Sequence, residues 1–245
     1  MSRRPRSARL LVAIALLATA PAGLAVEPER PAAAEPVPLP PGLSEGWYAS
    51  IETSLGTIVA RLLPDQAPQS VAWFAGLANG EIAWTDVSTG EERMGPYYDG
   101  LVVTRAVASN RFEAGDRTDS GRNAPRIFVT PEGAGPVNFS RPGRLGRTRS
   151  SLNQINAVRF FVTAGTLPYL NGLQPCFGEV VSGQGVVTRI SEVRTGRGGA
   201  PLEPVSIRRI RVVKVGDPAP LPEPIPYQPK GVAFGPRTVG TPPRP

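Results

Sequence analysis

Apolar and polar residues alternate in two short runs near residue 50. These runs are WYASIET (47–53) and TIVARL (57–62), separated by Ser54-Leu55-Gly56. A period of two is typical of strands that bury one face, and a short link containing glycine joins such strands as an antiparallel pair. The pattern therefore predicts a β-hairpin over residues 47–62.

The period changes to three or four after this hairpin. In APQSVAWFAGLANG (67–80) apolar residues recur at Val71, Phe74 or Ala75, and Ala78. Proline close to the start and Asn-Gly at the end are start and stop signals of a helix. We therefore expect an amphipathic helix here, and a second, shorter one over residues 184–191.

Further strands are predicted where β-branched and aromatic residues cluster, at residues 97–107 (YYDGLVVTRAV), 159–163, 176–181 and 205–215. The alternation in the last run slips by one residue at Arg208-Arg209, and a straight strand would then turn its apolar face outward, so a β-bulge is expected there. Many short strands with two helices indicate a mainly β domain, built as a closed antiparallel barrel capped by the helices.

The two ends of the chain differ in composition from this region. Residues 1–25 contain four arginines, an apolar run from Leu10 to Ala18 and then small residues, which is the layout of a signal peptide. An uncleaved membrane anchor is the alternative, although spanning a bilayer takes roughly 18 to 20 apolar residues. Residues 26–45 read as a Pro/Ala-rich linker, residues 46–216 as the domain, and residues 217–245 as a Pro-rich, disordered tail. The chain is expected to be exported, to the periplasm or outside the cell.

Charge and composition exclude several classes of function. The formal net charge is +7, but four arginines lie in the first 25 residues, where there is no acidic residue, so the rest carries +3. The other arginines form no stripe interleaved with aromatic residues, which argues against nucleic-acid binding. With no histidine and one cysteine, Cys176, neither a typical zinc site nor a histidine-based catalytic triad is possible. We expect no metal, no cofactor and no intrachain disulfide, with Cys176 as a small buried apolar residue.

The order of the motifs resembles that of the cyclophilin-type peptidyl-prolyl isomerases over residues 47–215. The motifs are ETSLGTIVARLLPDQAPQSVAWFAGLANG, YYDGLVVTRAV, EAGD, RFFVTA, LPYLNGLQPCFGEVVSGQGVV and PLEPVSIRRIRV. The resemblance implies an eight-stranded barrel with an outer groove that binds Xaa-Pro segments. It also implies a role for the arginine of YYDGLVVTRAV, because Arg105 matches the catalytic arginine of that family.

Other groove residues follow from the same resemblance. Phe161 matches the floor of the proline pocket, Leu170 a pocket wall, and Tyr169 a position near the rim. Adjacent strand residues point to opposite faces, so Phe160 is expected in the core when Phe161 faces the groove.

About half of the implied groove departs from the family pattern. Asn110 and Arg111 stand where active members carry a Phe-Met pair, and Glu113 where they carry a glutamine. Arg159 replaces the glutamine of Gln-Phe-Phe, and Gln174 replaces a histidine. We expect Asn110 and Arg111 to reduce the burial of a proline ring, Glu113 to pair with Arg105, and Arg159 to donate to a bound peptide.

Three hypotheses follow. The chain is an exported, monomeric isomerase that acts on proline-containing segments of client proteins, or a cyclophilin-like module that binds such segments with little or no catalysis. The third possibility is an envelope structural protein in which the Pro-rich ends are the functional parts. Arg105 and Phe161 favour the first hypothesis, and the altered groove favours the second.

Overall fold

The computed structural model describes residue 37 and residues 39–86, 88–117, 128–133, 135–149 and 154–227, all within one compact unit of the chain. The predicted signal peptide, the first part of the linker and residues 228–245 lie outside the described residues. None of the described helices is long and apolar enough to cross a membrane.

The described part is mainly β and contains two α-helices. The strands are β1 (Gly46–Thr53), β2 (Gly56–Leu62), β3 (Trp84–Thr85), β4 (Glu92–Arg93), β5 (Arg105–Val107), β6 (Arg111–Ala114), β7 (Phe128–Val129), β8 (Arg144–Arg149), β9 (Ile155–Thr163), β10 (Cys176–Ser182) and β11 (Ile207–Val215). The helices are α1 (Pro68–Asn79) and α2 (Gln184–Ser191), with short 3-10 turns at Pro168–Leu170 and Arg197–Gly199.

Eight strands form one curled antiparallel sheet in the order β11-β1-β2-β10-β8-β9-β6-β5, and β7 pairs with β9 beside this series. Strands β3 and β4 form a separate hairpin. The predicted hairpin and both predicted helices are confirmed. The predicted bulge is confirmed too, because Glu52 pairs with Arg209 and Thr53 with Ile207, which leaves Arg208 unpaired in the ladder.

The sheet is open, so the prediction of a closed barrel is wrong. Among the described residues, β5 and β11 share no ladder, and the segments that precede them meet at a single bridge between Val102 and Ser206. The loop that contains Arg197–Gly199 lies along β5 instead, since a Cβ added to Gly199 would be 3.2 Å from the carbonyl oxygen of Ala106. Residues 100–103, which precede β5, hydrogen-bond to residues 205–207, for example from the N–H of Val103 to the carbonyl oxygen of Val205 at 2.9 Å.

The strand predicted over residues 97–107 is also shorter than expected, because β5 begins only at Arg105. Tyr97 and Tyr98 lie in a turn and are fully buried. Their hydroxyls donate to the carbonyl oxygens of Gly115 and Val158, each at 3.1 Å. A hydroxyl that finds a carbonyl satisfies its polar atom, so these rings fill the core without belonging to the sheet.

Helix α1 packs into the concave side of the sheet, with its residues Ser70 to Ala78 buried. Its N-terminus is held by Glu132, whose carboxylate accepts the backbone N–H groups of Gln69 (2.6 Å) and Ser70 (3.1 Å). Burial raises the pKa of Glu132, and these hydrogen bonds oppose that shift. Helix α1 ends at Gly80, which has the left-handed conformation (φ 76°). A Cβ at this position would meet the backbone of Gly95 at 2.6 Å.

One cation, Arg147, is fully buried in this core. Its Nη2 donates to the carbonyl oxygen of Ser70 at 2.6 Å, and its guanidinium lies 4.8 Å from the ring centroid of Phe177 and 5.7 Å from that of Phe74. Burial lowers the pKa of Arg147. The aromatic faces and the carbonyl supply the interactions that make a buried cation tolerable.

The first part of the predicted disordered tail is bound to the domain. Tyr227 donates its N–H to the carbonyl oxygen of Phe128 in β7 at 2.9 Å, and Trp47 donates from Nε1 to the carbonyl oxygen of Ala219 at 2.9 Å. These hydrogen bonds hold Ala219 and Tyr227 against the domain, and disorder of the tail stays a prediction. For residues 228–245 it falls outside the described part of the chain.

Candidate active site

Four neighbouring strands place Arg105, Glu113, Phe161 and Gly146 in one row. The register pairs Arg105 of β5 with Glu113 of β6, Glu113 with Phe161 of β9, and Phe161 with Gly146 of β8. Side chains of directly paired residues project from the same face of a sheet, so the first three lie side by side on the outer face. Gly146 leaves room for Phe161, because a Cβ there would be 2.2 Å from Cζ of the ring.

Glu113 is the electrostatic centre of this row. Its side chain is 7% exposed, and its Oε1 accepts from Nη1 of Arg105 at 3.1 Å and from Nε of Arg111 at 2.9 Å. Nη2 of Arg159 lies 3.5 Å from its Oε2. The ion pair expected between Glu113 and Arg105 is therefore present. The carboxylate orients the guanidinium of Arg105. The Arg105 side chain is still 45% exposed, so it is accessible from outside.

Phe161 belongs to a small apolar cluster that is separate from the main core. The cluster consists of Phe139, Phe161, Leu167, Leu170 and Cys176. The rings of Phe139 and Phe161 lie with centroids 5.4 Å apart. Phe160, by contrast, is in the main core, 5.3 Å from Phe74 and 5.6 Å from Tyr98. Phe160 is therefore in the core as expected and Phe161 is in a separate cluster, while the place of Phe161 in a groove stays a prediction.

Arg111 covers part of the Phe161 ring. Its guanidinium lies 5.3 Å from the ring centroid, while the same group is ion-paired to Glu113. Phe161 is 1% exposed in this arrangement. Arg111 therefore lies over the ring that the family resemblance assigns to the proline pocket.

The structure brings together most, but not all, of the residues predicted for the site. Leu170 packs with Phe161 in the apolar cluster. Tyr169 is 59% exposed, on the turn that ends at Leu170. Asn110 takes part through its backbone, whose carbonyl oxygen accepts the N–H groups of Ala164 (2.7 Å) and Gly165 (3.1 Å). Gln174 contacts no arginine of the Glu113 group in the described part, and its buried Oε1 has no hydrogen-bond partner there.

Sequence reasoning missed two residues of the apolar cluster, Phe139 and Leu167. Both come from irregular segments, and they are joined by a hydrogen bond from the N–H of Leu167 to the carbonyl oxygen of Phe139 at 2.7 Å. Neither segment carries an alternating pattern that would have singled them out. Cys176 is buried as expected, and burial raises the pKa of its thiol to about 12, so it stays protonated and apolar at neutral pH.

Among the described residues, the row joins charged groups to an apolar surface. A half-exposed guanidinium held by a buried carboxylate stands next to an apolar cluster. A fixed cation can stabilise charge that develops on a bound amide, and an apolar cluster can hold a small ring. These are the requirements for twisting a peptide bond, a reaction that needs no covalent intermediate.

Comparison with known proteins agrees with this geometry. The profile described as "Cyclophilin type peptidyl-prolyl cis-trans isomerase/CLD" matches residues 48–212. Peptidyl-prolyl cis-trans isomerase A of Mycobacterium tuberculosis is 32% identical over 166 residues, which are 67% of this chain and 91% of the relative. Peptidyl-prolyl cis-trans isomerase B of Streptomyces anulatus is 32% identical over 173 residues, which are 69% of this chain and 98% of the relative.

The fold has solved counterparts as well. A cyclophilin-type isomerase of Cryptosporidium parvum, crystallised in the presence of the dipeptide Ala-Pro, superposes with a TM-score of 0.57 at 20% identity, covering 68% of this chain and 98% of that one. At this identity the likeness concerns the fold, and it agrees with the curled sheet and two helices described above. The profile match and the relatives at 32% identity establish that the chain belongs to the cyclophilin-type peptidyl-prolyl cis-trans isomerase family.

Proposed function

We propose that this chain isomerises Xaa-Pro bonds in exported client proteins, with Arg105 as the catalytic group and the Phe161 cluster as the proline pocket. The observation that carries the proposal is the row of Arg105, Glu113 and Phe161 on one face of the sheet. It places a guanidinium beside an apolar cluster, where a bound Xaa-Pro segment needs both.

The chemistry assigned to Arg105 is electrostatic. Rotation about a peptide bond faces a barrier of ~18–20 kcal/mol, because the nitrogen lone pair is delocalised into the carbonyl group. In the twisted state that lone pair is localised on the prolyl nitrogen, and a guanidinium pointed at it lowers the barrier. Glu113 fixes the position of Arg105 and also neutralises part of its charge.

The second candidate function is peptide binding with little catalysis. It is favoured by Arg111, whose guanidinium lies over Phe161 and leaves that ring buried. Such a cation–π contact is worth about 0.5–1 kcal/mol at an exposed site and about 2 kcal/mol when desolvated, and the Arg111 side chain is 17% exposed. Opening the pocket therefore costs about 1 kcal/mol or somewhat more, which slows turnover without abolishing it.

The test is isomer exchange measured by NMR on short Xaa-Pro peptides with the full-length chain. We expect the wild type to accelerate exchange and Arg111→Met to be about fivefold faster in kcat/KM, the factor that corresponds to about 1 kcal/mol. If both proteins bind the peptide and neither accelerates isomer exchange, the isomerase proposal is wrong and the chain is a peptide-binding module.

Export is the second part of the proposal. It is supported by the order of the first 25 residues, with basic residues first, an apolar run next and small residues last. When the chain is expressed with this segment, we expect a product in the periplasm or culture medium that begins after residue 22 or 25. Sequencing its N-terminus checks this, and a full-length product in the cytoplasm contradicts it.

A further inference from the structure

The segment over residues 217–227 is an unbroken Xaa-Pro repeat. It reads DPAPLPEPIPY, with proline at each even-numbered position. Proline has no backbone N–H and fixes φ near −65°, so such a repeat favours the extended polyproline II helix. In that helix the backbone is free to bind through its carbonyl oxygens and through the N–H groups of the residues between the prolines.

The burial of this segment has a period of three. Pro218, Leu221, Pro224 and Tyr227 are half-buried, and the seven other residues are exposed. Leu221 packs against the main hydrophobic core. A polyproline II helix has three residues per turn, so residues spaced by three lie on one face. The segment therefore rests on the domain by one face of such a helix.

The domain meets this helix with a set of matched polar groups. We define the α1 face as the surface formed by Trp47, Gln69, Trp73 and Phe128. Trp47 donates from Nε1 to the carbonyl oxygen of Ala219 at 2.9 Å, and Trp73 from Nε1 to that of Ile225 at 3.2 Å.

Gln69 and Phe128 complete the set. Gln69 donates from Nε2 to the carbonyl oxygen of Glu223 at 3.2 Å and accepts the N–H of Ile225 at its Oε1 at 2.7 Å. The carbonyl oxygen of Phe128 accepts the N–H of Tyr227 at 2.9 Å. All five hydrogen bonds are made to the non-proline residues of the segment. The α1 face therefore binds the positions that alternate with proline. Tryptophan N–H donors facing an extended proline-rich chain are a known mode of peptide recognition.

The α1 face is separate from the candidate active site. Trp73 belongs to the main core on the concave side of the sheet, whereas Phe161 belongs to the outer apolar cluster. Binding at the α1 face needs no rotation of a peptide bond, so it stands apart from the proposed isomerase activity.

We propose that the α1 face is a second binding site, specific for proline-rich polypeptides in the polyproline II conformation with an apolar or proline residue at every third position. In the isolated chain its own residues 217–227 occupy this site. When these residues detach, an equivalent Xaa-Pro repeat of another polypeptide binds in their place and is tethered to the domain.

Competition with the tethered segment sets the conditions of the test. A segment linked by a short connection is present at an effective concentration on the order of millimolar, so a free peptide competes poorly with the wild type. The full-length variant Leu221→Asp/Ile225→Pro weakens the internal segment while keeping its extended form. Leu221→Asp removes the apolar contact, and Ile225→Pro removes the N–H that Gln69 accepts.

The probe is the capped peptide Ac-DPAPLPEPIPY-NH₂, titrated into this variant while the indole N–H signals of Trp47 and Trp73 are followed by NMR. We expect saturable shifts of both signals, at least tenfold weaker binding when Gln69→Leu is added, and unchanged binding when Gln184→Leu of α2 is added instead. A peptide carrying the same Leu→Asp and Ile→Pro changes is the ligand control. The backbone amide spectrum confirms that each variant is folded.

Two results would overturn the proposal. The first is no shift of either indole signal up to several millimolar peptide, which would mean that the α1 face holds this repeat only when it is part of the same chain. The second is binding whose shifts are confined to the residues around Arg105 and Phe161. That outcome would support the proposed isomerase groove and reject the second site, so the two proposals fail separately.

Discussion

Replacing Arg105 by alanine is expected to lower kcat/KM for Xaa-Pro isomerisation about 10²- to 10³-fold, the usual effect of removing one preorganised donor from an active site. The loss should lie mainly in kcat, because the guanidinium acts on the twisted amide and the apolar cluster that binds the ring is untouched. Line-shape or exchange NMR on a short Xaa-Pro peptide measures both parameters.

Arg93→Ala is a matched control for this variant. The side chain of Arg93 is 47% exposed and paired with Asp86 at 3.3 Å, close to the 45% and 3.1 Å of Arg105 with Glu113. It lies on the separate β3–β4 hairpin, so its loss should leave isomerisation unchanged. Equal activity of Arg105→Ala and Arg93→Ala in folded protein would remove Arg105 from the mechanism.

The second large effect is expected for the two adjacent phenylalanines of β9. Phe160→Ala and Phe161→Ala each remove a fully buried ring, which costs about 3–5 kcal/mol of unfolding free energy. Only Phe161→Ala should also weaken peptide binding, because only that ring lies in the outer cluster next to Arg105. Urea denaturation measures the stability of each variant, and isomer exchange without denaturant measures KM.

The milder pair Phe160→Leu and Phe161→Leu keeps this comparison possible if either alanine variant fails to fold. Leucine retains most of the apolar volume, so both proteins should remain native. A KM raised to the same extent in both would show that activity follows general stability, and the assignment of Phe161 to a proline pocket would be wrong.

Local patterns were sufficient to predict the first hairpin, both helices and the strands β9, β10 and β11. The hairpin β1–β2 and the helices α1 and α2 follow from period and from turn residues, and even the bulge at Arg208 is visible as a slip in alternation. Strand β8 could not be found in this way. Its core-facing position Arg147 is a cation and its outer position Gly146 has no side chain, so RLGRTR shows no alternation of apolar and polar residues.

Long-range features could not be predicted from the sequence for a different reason. The loop around Gly199 lies against β5, and this contact joins segments about 90 residues apart, which no local pattern reveals. For the site, the residues of the Arg105 row could be named from the motifs they belong to. The position of Arg111 over Phe161 could not, since it depends on the rotamer that Glu113 stabilises.

The separation of the outer apolar cluster from the main core bears on what substitutions in the Glu113 group would change. The five residues of the cluster are distinct from those that form the core, and the two sets lie on opposite faces of the same sheet. Arg105, Arg111 and Arg159 meet Glu113 on the outer face and belong to neither apolar set. Changes at these three arginines therefore alter the charge offered to a ligand and leave the packed core in place.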